Sequence, residues 1–307
     1  MESLIKDSLK EFLEMNGTIS GYQHGFMDGR SCLTNLLESL ESWTQALDNG
    51  YGIDVLYLDY RKAFDSAPHK RLLEKLKICG VHSKLLRWIQ SFLEARLMRV
   101  RIRGSFSDWI KVLSGVPQGS VLGPLLFLLF VNDLPEWIKN SMRMFADDVK
   151  IWNVIKSDTD SGSLQDDLDS LTRWSSKWLL KLNASKCKVM HIGHSFGTVY
   201  NMMDDSGNST TIQQIAEEKD LGVHLTEDLK PSIQCVRSAA KARSVMGMVS
   251  RNFKRLDKED FLLIYKTYIR PRMEYCVQAW SPHLKKDIEC LERVQRAATK
   301  RVQGLLL

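Results

Sequence analysis

The chain has 307 residues, of which 44% are hydrophobic and 26% charged. That is length for about two domains at ~100–200 residues each, with a near-average globular composition that excludes a disordered or fibrous class. The net charge of +6 hides an asymmetry: from Lys230 onward 17 Lys and Arg face 7 Asp and Glu, while the first 229 residues are mildly acidic.

A basic end on an acidic body suits a polyanionic partner such as nucleic acid, with a solvated helix surface as the alternative. The longest apolar run, Val121 to Val131, is interrupted by Gly123 and Pro124 and is shorter than the ~20 residues of a membrane helix. Glu2, Lys6, Asp7 and Lys10 leave the N-terminus without the apolar centre of a secretory signal. The expectation is an intracellular protein, nuclear or cytoplasmic. The six cysteines are scattered, without zinc-ribbon or redox spacing, which fits a reducing compartment. Cys187, His191 and His194 come nearest to a metal cluster. Strand alternation over 186–192 points His194 away, so the grouping reads as coincidence.

In chain order, Leu33, Leu36, Leu37, Leu40, Trp43 and Leu47 predict a helix over 31–48. IDVLYLDY (53–60) predicts a largely buried strand ending on Asp59. Pro68 and Gly80 bracket a helix, and Ser83 is placed to cap another. LMRVRIR (97–103) and WIKVL (109–113) alternate around the polar turn 104–108 as a hairpin, with Arg99, Arg101 and Arg103 on one exposed or phosphate-facing side. SGVPQGS (114–120) is a turn-rich loop before an apolar helix over 122–132. Strands over 142–146 and 149–154 join at Asp147-Asp148, and a helix follows over 163–180. Strand-like pieces at 187–192 and 220–225 flank a polar loop region. Helices near 232–252, 258–270 and 285–300 complete a basic end.

Three Asp-Asp pairs begin at 147, 166 and 204, and context separates them. The first sits at the tip of a buried hairpin, where two carboxylates are costly unless a cation or donors offset repulsion and desolvation. Asp59 ends another apolar strand. If the two elements adjoin, Asp59, Asp147 and Asp148 converge on a site for hard divalent ions, Mg²⁺ or Mn²⁺. Two such ions serve phosphoryl transfer by activating the attacking hydroxyl and stabilising the leaving oxygen. Turn-capping aspartates are the alternative.

YLDYRKAFD (57–65), SGVPQGSVLGP (114–124) and FADD (145–148) resemble motifs A, B and C of reverse transcriptases in order and approximate spacing. QHGFMDGRS (23–31) and DLGV (220–223) look more narrowly like the enzymes of non-LTR retrotransposons, the long interspersed elements, of the jockey-like kind. The resemblance covers nearly the whole chain. It implies an α/β right-hand polymerase fold: a palm sheet with helices, incomplete fingers and a helical thumb. The divisions it implies are partial fingers over 1–51, palm over 52–66, a fingers–palm connection over 67–107, palm again over 108–218, and primer grip with basic thumb over 219–307.

The implied activity is RNA-directed DNA synthesis on an RNA template. A DNA primer 3′-hydroxyl would attack a deoxynucleoside triphosphate with two Mg²⁺ or Mn²⁺ ions as cofactors. The alternative is an inactive remnant that binds RNA or an RNA:DNA hybrid. Asp59 and Asp147 would hold both ions and Asp148 would support them. Phe64 matches the aromatic gate against a 2′-hydroxyl, or else is a core residue. Gln118 and Gly119 match the motif B loop beside the incoming nucleotide. Lys186 sits where motif D supplies a lysine near the leaving pyrophosphate, with Lys188 competing and a solvated surface lysine as the alternative. Leu221, Gly222 and Val223 would form the primer grip. Lys241, Arg251, Lys254 and Arg255 would meet the duplex backbone, as suits recognition of a hybrid through phosphates and shape. The sequence departs from the family pattern in lacking a fingers Arg-Pro-Ile-Ser-Leu-type motif, an endonuclease domain and a C-terminal Cys/His knuckle. It therefore reads as an element fragment.

Overall fold

A computed structural model describes residues 1–94, 96–194, 196–203, 207–253 and 257–300, and the chain divides into two compact units. The first comprises Met1–Asn35 and Gln45–Gln214, and the second Leu36–Thr44 and Ile215–Leu307.

In chain order, the first unit opens with α1 (Glu2–Met15) and the start of α2 (Cys32–Asp48), whose middle counts with the second unit. Next come β1 (Gly52–Leu58), α3 (Ala63–Ser66), α4 (His69–Ile78) and α5 (Ser83–Leu93). A ribbon follows, made of β2 (Leu97–Met98), β3 (Arg101–Ile102), β4 (Ser105–Phe106) and β5 (Ile110–Lys111). Then come α6 (Gly123–Val131), β6 (Ser141–Phe145), β7 (Asp148–Ile155), α7 (Ser161–Trp178), β8 (Lys188–Ile192), β9 (Asn201–Met203), β10 (Ser209–Thr211) and β11 (Gln213–Gln214).

Five strands form one mixed sheet in the order β11-β8-β1-β7-β6. β1 lies at its centre, antiparallel to both β7 and β8, and is buried along almost its whole length. That explains why, apart from Asp54, it reads as a near-continuous apolar run rather than an alternating one. α6 is apolar on every side because every side is buried, and Glu2 accepts the otherwise unpaired amides of Val121 and Leu122 before it. Leu164, Leu168, Leu171, Trp174 and Trp178 of α7 pack into the same core. Lys75 is buried within it, donating to Asp133 and to the Phe130 carbonyl with its ammonium 3.9 Å from the Trp178 ring centre.

Local corrections to the sequence reading have clear causes. α5 begins at Ser83 itself, whose φ is 57°, so His82 and not Ser83 takes the position before the helix. The 97–113 hairpin is two short ribbons, β2–β5 and β3–β4, rather than one pair of long strands. The turn after β6 is Ala146-Asp147, since Asp148 already pairs with Phe145.

The second unit, with α2 residues 36–44, holds β12 (Glu217–Asp220) paired with β13 (Val223–Thr226) and a bundle. The bundle comprises α8 (Ser232–Asn252), α9 (Lys258–Ile264), α10 (Arg270–Glu274), α11 (Val277–Trp280) and α12 (Lys285–Thr299). The predicted strand at 220–225 is thus a hairpin broken at Leu221-Gly222, where both residues have positive φ. That backbone is the tight two-residue hairpin turn. The predicted helix over 258–270 is interrupted by a π-helical turn, Tyr265–Ile269, before Pro271, whose missing amide cannot continue the ladder. Ala239, Ala242, Met246, Phe261, Ile269, Met273, Val294 and Ala298 form this unit's own core. Among the described residues no helix is long and apolar enough to cross a membrane.

Candidate active site

β1 and β7 run antiparallel with Leu58 opposite Val149, so Asp59 and Asp148 emerge at the same end of the central pair. Asp147 occupies the two-residue turn next to them. The sheet register thus brings together aspartates that stand 88 residues apart in the chain.

The electrostatics agree. Burial, and after it the neighbouring charge of Asp59, push the Asp147 carboxyl above the ordinary carboxylate range against the pull of its own backbone amide. One oxygen of Asp59, Oδ2, is buried and among the described residues accepts no hydrogen bond. The exposed Lys186 ammonium lies 3.7 Å from it, a separation at which an exposed pair contributes little. Asp148 is exposed.

The turn itself is held under strain. Ala146 has φ 56°, and Asp147 does not share the left-handed conformation. That pattern favours glycine at the first position, and a side chain there carries a cost. Gln23 offsets it: Oε1 accepts from the Ala146 amide at 2.8 Å and from Gly25 N at 2.7 Å, while Nε2 donates to the Ala146 carbonyl at 3.3 Å. The Met144 carbonyl receives His24 N and Asn35 Nδ2. Gly25 lies so close that a Cβ there would stand 2.5 Å from Ala146 N.

The loop after the ribbon is stitched to the segment after β1. Gln118 Nε2 donates to Asp65 Oδ1 at 2.7 Å, Ser114 Oγ to the Asp65 carbonyl at 2.8 Å, and Val116 N to the Phe64 carbonyl at 2.8 Å. At Gly115 a Cβ would meet the Asp65 backbone at 2.6 Å, so only glycine allows this approach. Gly119 has φ +82° with open space where a Cβ would be, so its backbone is exposed. Phe64 is half-buried, stacked on Phe127 with ring centres 4.3 Å apart and edge-on to Phe26. The segment 181–187 lies along the end of β1, where the Asn183 amide donates to the Asp59 carbonyl at 2.7 Å and Arg61 N to the Lys181 carbonyl at 2.8 Å.

The remaining expected residues belong to the second unit. Leu221 and Gly222 form the hairpin turn and Val223 is fully buried. Tyr275 packs on Gly222 and donates to the Leu221 carbonyl at 2.8 Å. Lys241 and Arg251 are exposed on α8. Lys254 and Arg255 lie outside the described residues.

His194 does not point away as strand alternation implied, because β8 ends at Ile192 and Gly193, φ +73°, turns the chain back. Asp54, fully buried on β1 and directly opposite His191, accepts from His191 and from His194 on one oxygen. Thr198 and Tyr200 donate to its other oxygen, each at 2.6 Å. The side chains of Asp54, His191 and His194 could hold a metal ion, whereas Cys187 is not among them. All four donors already converge on the carboxylate, so the group also stands complete as a buried hydrogen-bond network. Sequence reading found neither this network nor the Gln23 brace, since Asp54 lies within an apolar strand and Gln23 among exposed-looking loop residues.

The reverse transcriptase (RNA-dependent DNA polymerase) family matches residues 1–246. Among curated proteins, the chain is similar to the probable RNA-directed DNA polymerase from transposon X-element of Drosophila melanogaster, 27% identical over 99% of this chain. It is also similar to the RNA-directed DNA polymerase from mobile element jockey of the same organism, 28% identical over 99% of this chain. It spans 34% of the length of each. Among solved structures, apo telomerase from Candida tropicalis aligns with TM-score 0.56 at 13% identity, covering 99% of this chain and 52% of that one. At that identity the likeness concerns the fold alone.

Proposed function

This chain belongs to the reverse transcriptase family, and from that premise we propose that it carries the catalytic core of an RNA-directed DNA polymerase of the non-LTR retrotransposon kind. It would copy an RNA template by adding deoxynucleotides to a DNA primer. The observation that carries the reading is the shared sheet end of Asp59, Asp147 and Asp148, with the Asp147 carboxyl raised by burial and by Asp59.

A buried carboxylate oxygen without a donor, beside a second carboxylate that resists ionisation, fits a hard divalent cation. Asp59 and Asp147 would hold Mg²⁺ or Mn²⁺, with Asp148 in support. Bound there, the ions would supply electrostatic stabilisation of the charge that develops in phosphoryl transfer. The chain's own residues position the reactants. Phe64, stiffened by Phe127, would form the floor under the sugar of the incoming deoxynucleotide. The Gly119 backbone and Gln118, tied to Asp65, would flank its base. Lys186 would reach the departing pyrophosphate and donate a proton or positive charge there. In the second unit, the Leu221–Val223 turn would meet the primer end, and Lys241 and Arg251, with Lys254 and Arg255, the hybrid backbone. On this reading residues 52–66 and 108–218 act as palm and 219–307 as primer grip and thumb, with 1–51 as partial fingers and 67–107 as the connection between fingers and palm.

A primer-extension assay on an RNA template with Mg²⁺ or Mn²⁺ tests the proposal. Extension that is abolished by Asp147→Asn, with hybrid binding retained, is the expected result. Hybrid binding with no extension by the parent chain would overturn it in favour of a binding-only protein.

A further inference from the structure

The ribbon β2–β5 is exposed on both sides. Two-stranded ribbons without a covering layer are marginal in water, and exposed apolar side chains concentrated in one place mark an interaction surface. Its two faces differ in chemistry. The pairing of Met98 with Ile110 puts aliphatic side chains on one face. The other pairs Leu97 with Lys111 and Arg101 with Phe106. On that face the Arg99 guanidinium lies 3.9 Å from the Phe106 ring centre and 4.4 Å from that of Trp109, although both rings remain half exposed. Among the described residues neither Arg99, Arg101 nor Arg103 has an acidic partner.

At the ribbon's base this face opens into a groove of ≈ 700 Å³ lined by Lys70, Arg71, Arg96 and Lys111 with Glu94 as its one acid. His69, also in its wall, donates from Nε2 to the Gly115 carbonyl at 2.8 Å, within the loop that carries Gln118 and Gly119. A cationic track with exposed aromatic rings that leads to the loop beside the proposed nucleotide pocket matches single-stranded nucleic acid. Unpaired bases offer ring faces to stack and the backbone offers phosphates. A duplex hides its base faces, whereas the half-exposed Phe106 and Trp109 rings beside these arginines suit the stacked bases and phosphates of a single strand.

We propose that this face of the ribbon and the groove below it bind the single-stranded RNA template before it reaches the nucleotide pocket. The proposal rests on the polymerase reading for the identity of the strand, while its test needs no catalysis.

The test is fluorescence anisotropy with the 307-residue chain and two RNA:DNA hybrids, one blunt and one with a long 5′ single-stranded RNA extension. Arg99→Ala combined with Arg101→Ala, and separately Trp109→Ala, alter exposed positions, and thermal melts check that both variants fold. Each should weaken binding of the extended hybrid by about tenfold and leave the blunt hybrid unchanged. The arginine pair should also reduce the salt slope by about 1.4, and Trp109→Ala should leave it alone. Equal losses on both hybrids, or no loss on the extended one, would overturn the proposal. No loss on RNA would leave the ribbon to a protein partner. A parent chain that extends primers without preferring the extended hybrid would retain the polymerase reading and sink this one. Preference for the extended hybrid without extension would do the reverse.

Discussion

Gln23 grips Ala146 by both of its backbone polar groups, accepting the amide at 2.8 Å and donating to the carbonyl at 3.3 Å, across 123 residues of sequence. The side chain is 2% exposed, so no water competes. The residue it holds has the positive φ that aims Asp147, and the aspartate's position depends on a glutamine that touches no reactant. Gln23→Ala should leave the Ala146 amide unpaired and cost about 1–3 kcal/mol. Extension should fall further than the loss of folded protein explains. Melts and extension rates measured at a temperature where the variant is fully folded check this, and an undiminished rate there would sink it.

Gly25→Ala tests the same brace from its other side. A Cβ would press on the Ala146 amide, which as backbone cannot swing away. Overpacking of this kind costs about 1–3 kcal/mol. Gly21→Ala is the control, since a Cβ there meets open space. Comparable melting temperatures for the two variants would refute the tight approach.

Asp147→Asn should stabilise the chain at neutral pH in a chelator while abolishing extension. Burial first, and Asp59 second, raise the folded-state pKa of Asp147. The folded chain therefore holds this proton more tightly than the unfolded one, and stability declines as pH rises through the raised pKa. The variant lacks that penalty, so its advantage should fade as pH drops below the unfolded carboxyl value of about 3.9. Mg²⁺ should raise the melting temperature of the parent more than that of the variant. A variant less stable than the parent at pH 7 would contradict the argument.

Asp54→Asn should act with the opposite sign. Burial pushes the Asp54 carboxyl up, but hydrogen bonds from His191, Thr198 and Tyr200 outweigh it and hold it below the ordinary range. Its contribution is therefore present above the unfolded pKa and is lost as pH falls through the folded one. The substitution should destabilise by about 3–5 kcal/mol at neutral pH, with the difference from the parent shrinking in acid. Melting curves across pH measure it, and a pH-independent difference would show that packing rather than charge dominates. If the group instead requires a metal, a chelator should destabilise the parent by a similar amount.

Phe64→Val should raise ribonucleotide incorporation by opening room for one hydroxyl. The ring is stacked at 4.3 Å on Phe127 but only half-buried, so truncation should cost about 1–3 kcal/mol without unfolding the chain. Competition between deoxynucleotide and ribonucleotide reads it out. Unchanged discrimination in a folded variant would return Phe64 to a packing role.

Sequence alone determined those features whose physics is local. The apolar run of β1, the helical spacing of α2 and α7, and the Pro68–Gly80 bracket each express burial or backbone preference within a few residues. The three aspartates and the SGVPQGS loop were legible because they sit in contiguous motifs. Turn positions were read less well: Asp148 looked like a turn residue, and Leu221-Gly222 looked like strand, because pairing partners decide such boundaries. Tertiary structure alone decided the rest. Gln23 and Ala146 are distant in sequence, as are Asp54 and the histidines at 191 and 194. Hydrogen bonds across such separations leave no periodicity in either segment. Antiparallel register placed Asp59 beside Asp148, and burial then raised the Asp147 carboxyl, an effect that depends on which atoms surround it rather than on which residues precede it.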